Sequence, residues 1–433
     1  MRRTPHPDPP PQGGREYLES PSPLEGEGRE GGIAPLLRSP GALVAMLCVT
    51  SVLGMLGFSS FSALLPEFQR DWSLSNTEAG WISGIFYAGY VAAVPLLVGS
   101  TDRIDPRRIY LLSFLIAAAA ALGYALFAQG FWSALGFRAL AGVGLAGGYM
   151  PGLKLLTDRV GGAKQSRYVA FYTAGFSLGT AFSFAFTGET ASWIGWRGAF
   201  VAAAFGALLA FALTLLLLRP ATAAEMGGGE ARRTLDFRPV FRNRAAMAFI
   251  LGYTGHTWEL FALRSWLVAF LVQAAAFTGD SADIAQASWL TMVIVLVSTG
   301  ASIYGAELAT RSDRRRVIGR IMLLSVLIAV LTGLSAGRPI WLVAALCLVY
   351  HMIIMGDSAA LTGGAVATSA PGQRGATLAV HSILGFSGAF LGPLAVGAVL
   401  DLAGGETSRL AWALAFLAMG AGSAAAFVAI RRL

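Results

Sequence analysis

Twelve stretches of apolar residues follow one another with short polar breaks between them. This succession constrains the chain more than any other feature. The stretches run over approximately 42–65, 79–99, 109–128, 132–155, 168–188, 197–218, 247–271, 287–308, 317–336, 340–361, 375–400 and 409–430. A helix needs about 20 predominantly apolar residues to cross a bilayer, and each of these runs is close to that length. The 433 residues are therefore read by counting spans, not soluble domains. Composition agrees: 13% of residues are charged, against about 25% in soluble proteins. A water-soluble globule is excluded.

An even number of spans puts both termini on one side, and charge selects the side. With the N-terminus cytoplasmic, the inner connections and the C-terminus hold twenty Lys and Arg, and the outer loops hold four, Arg70, Arg197, Arg338 and Arg409. The positive-inside rule thus predicts an inner-membrane protein with cytoplasmic termini. The net charge of +8 is accounted for by these short loops, so no nucleic-acid partner is expected. Cys48 and Cys347 both lie in apolar runs and organise no disulfide framework.

Residues 1–39 differ in kind. They are rich in Pro, Gly and Glu, and they predict a disordered tail without the apolar centre of a signal peptide. The longest internal connection, 219–246, is polar and contains Gly-Gly-Gly at 227–229. It separates a first six-span half, 40–218, from a second, 247–433. The halves repeat. Asp102-Arg103 before Arg107-Arg108, between spans two and three, is matched by Asp313 and its arginines between spans eight and nine. Trp196-x-x-x-Phe200 in span six is matched by Trp412-x-x-x-Phe416 in span twelve. Repeated halves of this kind build many transporter folds, with the site near mid-membrane at the interface between them.

The loop Val98-Gly99-Ser100-Thr101-Asp102-Arg103-Ile104-Asp105-Pro106-Arg107-Arg108 resembles the Gly-x-x-x-Asp-Arg-x-Gly-Arg-Arg signature of the major facilitator superfamily. Val98 and Asp105 stand where the family has glycine. Arg138-x-x-x-Gly142-x-Gly144 in span four resembles a second family motif. The Gly-Pro motif of family antiporters is absent from span five, while Gly388-x-x-x-Gly392-Pro393 occurs in span eleven. The resemblance implies an all-α membrane protein with twelve transmembrane helices in two six-helix bundles related by a pseudo-two-fold. It also implies a central cavity lined by spans one, four, seven and ten.

Ionisable residues inside the spans mark the candidate site, because a charge at the bilayer centre costs about 2.5 kcal/mol or more and normally faces protein or a wet cavity. Gly252–Trp266 is the outstanding stretch, carrying His256, Glu259 and Arg264. At about 1.5 Å per residue, Glu259 lies about 18 Å into span seven and His351 about 16 Å into span ten, both near the midplane. Glu259 and His256 are about 60° apart around the helix and share a face; Arg264 lies about 140° from Glu259.

On the family arrangement, Glu259 and His256 meet Arg138 and His351 across the cavity. Glu259 is then the coupling carboxylate, with His256 or His351 as relay and Arg138 holding an anionic group. The competing reading makes Glu259 and His256 a satisfied structural network. Arg264, toward the outer end, either snorkels or joins Arg138, Tyr253 and Ser59 as a substrate ligand. A cytoplasmic gate is expected from Asp102, Arg103, Arg107 and Arg108 in the first half. Glu307, Arg311, Asp313, Arg315 and Asp357 supply its counterpart in the second. His381 is expected to be a packed or interface histidine.

Two lookalike motifs carry nothing. Gly356-Asp357-Ser358-Ala359 sits in a span without an esterase partner, and His256-x-x-Glu259 lacks the second histidine of a zinc helix. No metal, no cofactor and no enzymatic activity are expected, and no Walker motif supports ATP drive. The sequence predicts a secondary transporter, acting as a monomer, that moves a small anionic or polar solute by alternating access, coupled to protons. Proton-driven efflux of amphipathic compounds is the alternative within transport, and a non-transporting membrane sensor is the rival class.

Overall fold

The computed structural model describes residues 39–101, 103–162, 164–222 and 236–433. Asp102, most of the expected tail and the glycine run at 227–229 lie outside the described residues.

The helices are α1 Pro40–Gly54, α2 Ser60–Ala63, α3 Leu65–Trp72, α4 Asn76–Ser100, α5 Pro106–Phe127, α6 Phe131–Arg159, α7 Gln165–Leu217, α8 Arg238–Arg242, α9 Arg244–Ala276, α10 Ile284–Arg311, α11 Arg314–Leu334, α12 Ile340–Ala367, α13 Arg374–Leu402 and α14 Arg409–Arg432. Ten of them are long and apolar enough to cross a membrane. The remaining two of the twelve expected spans are accounted for by two irregularities. The 53-residue α7 holds spans five and six, joined at a kink where Ile194 and Gly195 leave helical geometry. Gly195 has φ +71°, a conformation that glycine adopts at little steric cost.

The first span is not one helix. It breaks after α1, a 15-residue helix, and resumes at α2. Broken backbone at membrane depth survives where protein satisfies it, and Ser183 of α7 does this. Its hydroxyl donates to the Leu56 carbonyl (2.8 Å) and accepts from the Ser59 N–H (2.8 Å).

Helices from α1 to α7 form one bundle and those from α9 to α14 the other. Within the first, α4 packs on α6 and α7 on α1. Within the second, α10 packs on α12 and α13 on α9. Two long contacts join the bundles, α4 with α13 and α7 with α10. Exchanging the halves turns each of these contacts into the other, which is the signature of the pseudo-two-fold. Aromatic packing repeats as well: Phe68 meets Trp196 edge-on at 5.2 Å, and Phe270 meets Trp412 at 5.1 Å.

Small residues set how closely the helices approach. A Cβ at Gly142 would collide with the Phe86 carbonyl of α4, and one at Gly144 would crowd the Ala117 backbone of α5. The second family motif is therefore a packing device that leaves Arg138 facing inward. Gly388 and Gly392 do the same for α13 against the Thr254 and Trp258 carbonyls of α9.

The contacts that join the bundles run from the middle of the molecule to the end away from the termini. There α2 and α3 pack against α9 in one continuous apolar core that includes Phe61, Leu64, Phe68, Leu263, Trp266 and Phe270. At the same end α4 is sealed to α13, where a Cβ at Gly84 would strike the Phe390 carbonyl. The structure is thus a state closed at the end away from the termini.

Candidate functional site

The polar residues of α9 point three ways, because successive positions turn by about 100°. Phe261 and Arg264 face the first bundle, where the Phe261 ring lies 4.5 Å from that of Tyr87 on α4. His256 faces α12. Glu259 turns into the interior of its own bundle.

Glu259 is 1% exposed. Its Oε1 accepts from the Tyr350 hydroxyl (2.7 Å) and the Ser325 hydroxyl (3.0 Å), and its Oε2 accepts from the Ser423 hydroxyl. These donors come from α12, α11 and α14. The expected meeting of Glu259 with Arg138 and His351 across the cavity is not found. The shared face with His256 holds on the wheel, but that face does not point at the first bundle.

His256 instead meets a residue expected at the gate. Its Nδ1 lies 2.7 Å from Oδ1 of Asp357, and both side chains are almost fully buried. The ring N–H is not aimed along that line, so the contact is close without being an aligned hydrogen bond. Asp357 sits ten residues from the end of α12, about 15 Å at the helical rise, and therefore reaches α9 and not the basic stretch 311–316.

Tyr253, one turn before His256, stacks on His381 of α13 at 4.0 Å and lies 5.6 Å from the His256 ring. His381 also shares a hydrogen bond with Thr362 (3.2 Å), consistent with a packed histidine.

Arg264 does not snorkel. It is 6% exposed, and its Nε donates to His351 Nε2 (3.1 Å), which fixes that nitrogen as the acceptor. Its Nη2 approaches the Met355 sulfur at 3.8 Å. Arg138 is also buried. It donates from Nη1 to the Phe58 carbonyl (3.3 Å) and lies over the Phe86 ring at 4.6 Å. Among the described residues no carboxylate pairs with it. It lines a cavity of about 60 Å³ inside the first bundle, with Tyr124, Tyr149 and Phe86 among the walls. Ser59 donates to the Thr180 carbonyl (3.4 Å) and belongs to the helix break, away from the α9 cluster.

The expected gate residues separate. Glu307 and Arg311 form an exposed i,i+4 pair at 2.7 Å on one helix, which ties α10 to nothing else. Asp313 caps α11 by accepting from the Arg316 N–H (2.8 Å), and Arg315 lies over Phe249 at 5.7 Å. Arg107 donates to the Leu215 carbonyl (2.8 Å) near the end of α7, while Arg103 and Arg108 are exposed. Asp105, where the family has glycine, caps α5 through the Arg107 N–H (2.9 Å) and holds Ala221 N–H (2.9 Å). The sequence reading missed Tyr350, Ser325 and Ser423 as partners of Glu259. Their only signal is a hydroxyl within a membrane span.

An all-helical membrane protein of two repeated bundles, with buried charged groups where the bundles approach, has the architecture of a membrane transporter. The chain belongs to the Major Facilitator Superfamily, whose family model matches residues 47–280. Among curated relatives it is similar to a chloramphenicol resistance protein of Streptomyces lividans, 29% identical over 60% of this chain and 64% of the relative. It also resembles a putative metabolite transport protein of Haemophilus influenzae, 24% identical over 60% of this chain and 66% of the relative. These alignments span just under two thirds of the relatives' length. Among solved structures, it shares its fold with a bacterial homologue of the human lysosomal transporter Spinster in an inward-facing and occupied conformation. That match has a TM-score of 0.75 at 16% identity, covering 91% of this chain and 97% of the other. The nucleoside transporter NupG matches at TM-score 0.67, 16% identical over 90% of this chain and 99% of the other.

Proposed function

We propose that this chain is a secondary transporter that carries a small anionic or polar solute by alternating access, coupled to protons, with both termini cytoplasmic. The observation that carries the reading is the buried contact between His256 and Asp357 at 2.7 Å. A charge change at such a pair is costly in a low-dielectric interior. Gaining or losing a proton there therefore favours a different packing of α9 against α12. Arg138 and Arg264 supply the positive charge that an anionic solute would complete, since a buried unpaired cation is itself unfavourable. Tyr253 and His351 contribute the surrounding polar contacts.

The coupling role is assigned to Asp357 with His256 in preference to Glu259. Three hydroxyl donors already satisfy the Glu259 carboxylate, which supports its reading as a structural anchor of the second bundle.

The test begins with a thermal-shift screen of the purified protein against metabolites and drugs, because a ligand that prefers the folded state raises its apparent stability. With that ligand, proteoliposomes are compared for accumulation driven by a pH gradient and for exchange without one. Asp357→Asn is expected to lose accumulation and keep exchange. Full accumulation by Asp357→Asn would refute its coupling role. Efflux of an amphipathic compound is the second reading, favoured by the likeness to a chloramphenicol resistance protein. A screen that returns only such compounds would select it.

A further inference from the structure

Three arginines at the termini end are used by neither the fold nor the transport reading. Arg316 and Arg320 stand one turn apart on α11, both exposed, and Arg431 closes the last turn of α14 beside them. The three line one groove between these helices, with Leu323, Phe427 and Ile430 as its apolar floor. The single acid in the groove, Asp313, is committed to capping α11 through the Arg316 N–H. Arg431 lies over the Phe427 ring at 4.6 Å, and among the described residues no carboxylate pairs with Arg316, Arg320 or Arg431. Like charges at i,i+4 repel, so this arrangement is one that an anion relieves.

The groove leads onto a surface of definite chemistry. Leu323, Leu327 and Leu331 continue from Arg316 and Arg320 in steps of three and four residues along the same side of α11, and they are 50%, 55% and 43% exposed. Apolar side chains exposed on a membrane-spanning helix face acyl chains. A ligand that fits therefore has an anionic head at the arginines and hydrocarbon running down the leucine ridge.

We propose that the groove between α11 and α14 binds an anionic phospholipid, its phosphate held by Arg316, Arg320 and Arg431 and its acyl chain laid along Leu323, Leu327 and Leu331. Basic grooves between helices on the cytoplasmic side are suited to such head groups. Long arginine side chains near a helix end also reach the head-group layer while their stems stay in hydrocarbon. The site is independent of the solute and of the coupling residues.

Native mass spectrometry of the delipidated full chain, titrated with phosphatidylglycerol or phosphatidylcholine, tests this. Phosphatidylglycerol should be retained several-fold more than phosphatidylcholine and should raise the melting temperature. Arg316→Gln/Arg320→Gln should bring retention down to the phosphatidylcholine level and abolish that rise. Arg338→Gln, at the opposite end of the protein, should change neither. If the double variant does not fold, the single variants Arg316→Gln and Arg320→Gln decide, each losing part of the retention. Equal retention of the two lipids, or undiminished phosphatidylglycerol retention in the arginine variants, overturns the site. Inorganic phosphate reproducing the whole thermal shift would show a free-anion site and overturn the lipid assignment.

Discussion

Asp401, in the last turn of α13, accepts at Oδ2 from both the N–H (2.7 Å) and the hydroxyl (2.6 Å) of Thr77, which opens α4 in the other bundle. Its Oδ1 takes the N–H (3.0 Å) and side-chain amide (2.8 Å) of Asn76. A helix begins with orphan N–H groups that need acceptors. Here Ser75 satisfies the Glu78 N–H in a capping box, and the residue that satisfies Asn76 and Thr77 lies 325 and 324 positions away. One carboxylate therefore caps a helix and fastens the two bundles together at the end away from the termini.

Asp401→Ala is expected to loosen that end more than it harms folding. Loss of a cap costs about 1 kcal/mol, and the side chain is exposed to solvent screening. Spin labels placed across the closed end should report a larger population at long distance. An unchanged distance distribution would show that the clasp does not set the closed state.

Two glycines on similar contacts should behave differently. Gly392→Ala drives a Cβ into the Trp258 carbonyl within one bundle, so it should lower overall stability by about 1–3 kcal/mol, as overpacking does. Gly84→Ala strikes the Phe390 carbonyl across the bundles, where the clash is relieved by opening. Thermal unfolding should separate the two, and spin-label distances should move for Gly84→Ala alone.

Tyr350→Phe removes one donor from the buried Glu259 carboxylate. A buried acceptor left without one of its donors costs about 1–3 kcal/mol, so denaturant or thermal unfolding in detergent should show a drop of that size. Exchange of the identified ligand should survive. Loss of exchange with unchanged stability would return Glu259 to the transport machinery.

Glu406, in the loop between α13 and α14, supplies a pH prediction outside the membrane. Burial pushes its carboxyl above the usual range, and the neighbouring Asp401 adds to this, while a hydrogen bond with Gln69 opposes it. A carboxyl with a raised folded-state pKa binds protons more tightly in the folded protein than in the unfolded chain. Its contribution to stability is thus present below the ordinary carboxylate range and lost as pH rises through the raised value. Glu406→Gln should flatten that part of the stability profile, measured as melting temperature against pH beside the unaltered protein.

Much of the membrane architecture could be read along the chain. Apolar length, loop charge and the repeated Trp-x-x-x-Phe and Asp-Arg motifs are local or periodic signals, and they predicted helices, halves and pairing by symmetry. The break after Gly54 could not be read this way, because an apolar run does not show that Ser183, 127 positions beyond Leu56, will satisfy its backbone. Site partners were harder still. The wheel put His256 and Glu259 about 60° apart, but which direction faces the other bundle depends on how α9 rolls among α12, α13 and α14.

The sequence by itself determined that this chain crosses a membrane many times as two related helical halves, with charges placed deep in several spans. Those properties follow from how many consecutive residues water rejects, and position along the chain records that directly. Tertiary packing alone decided that Glu259 is bound by Tyr350, Ser325 and Ser423, that Asp357 leaves the gate for His256, and that Arg264 turns inward to His351. A buried polar group takes whichever partner the rotation and register of its neighbouring helices bring within about 3 Å. Those angles are set by glycine and aromatic contacts among several helices at once, not by the residues beside it in the chain.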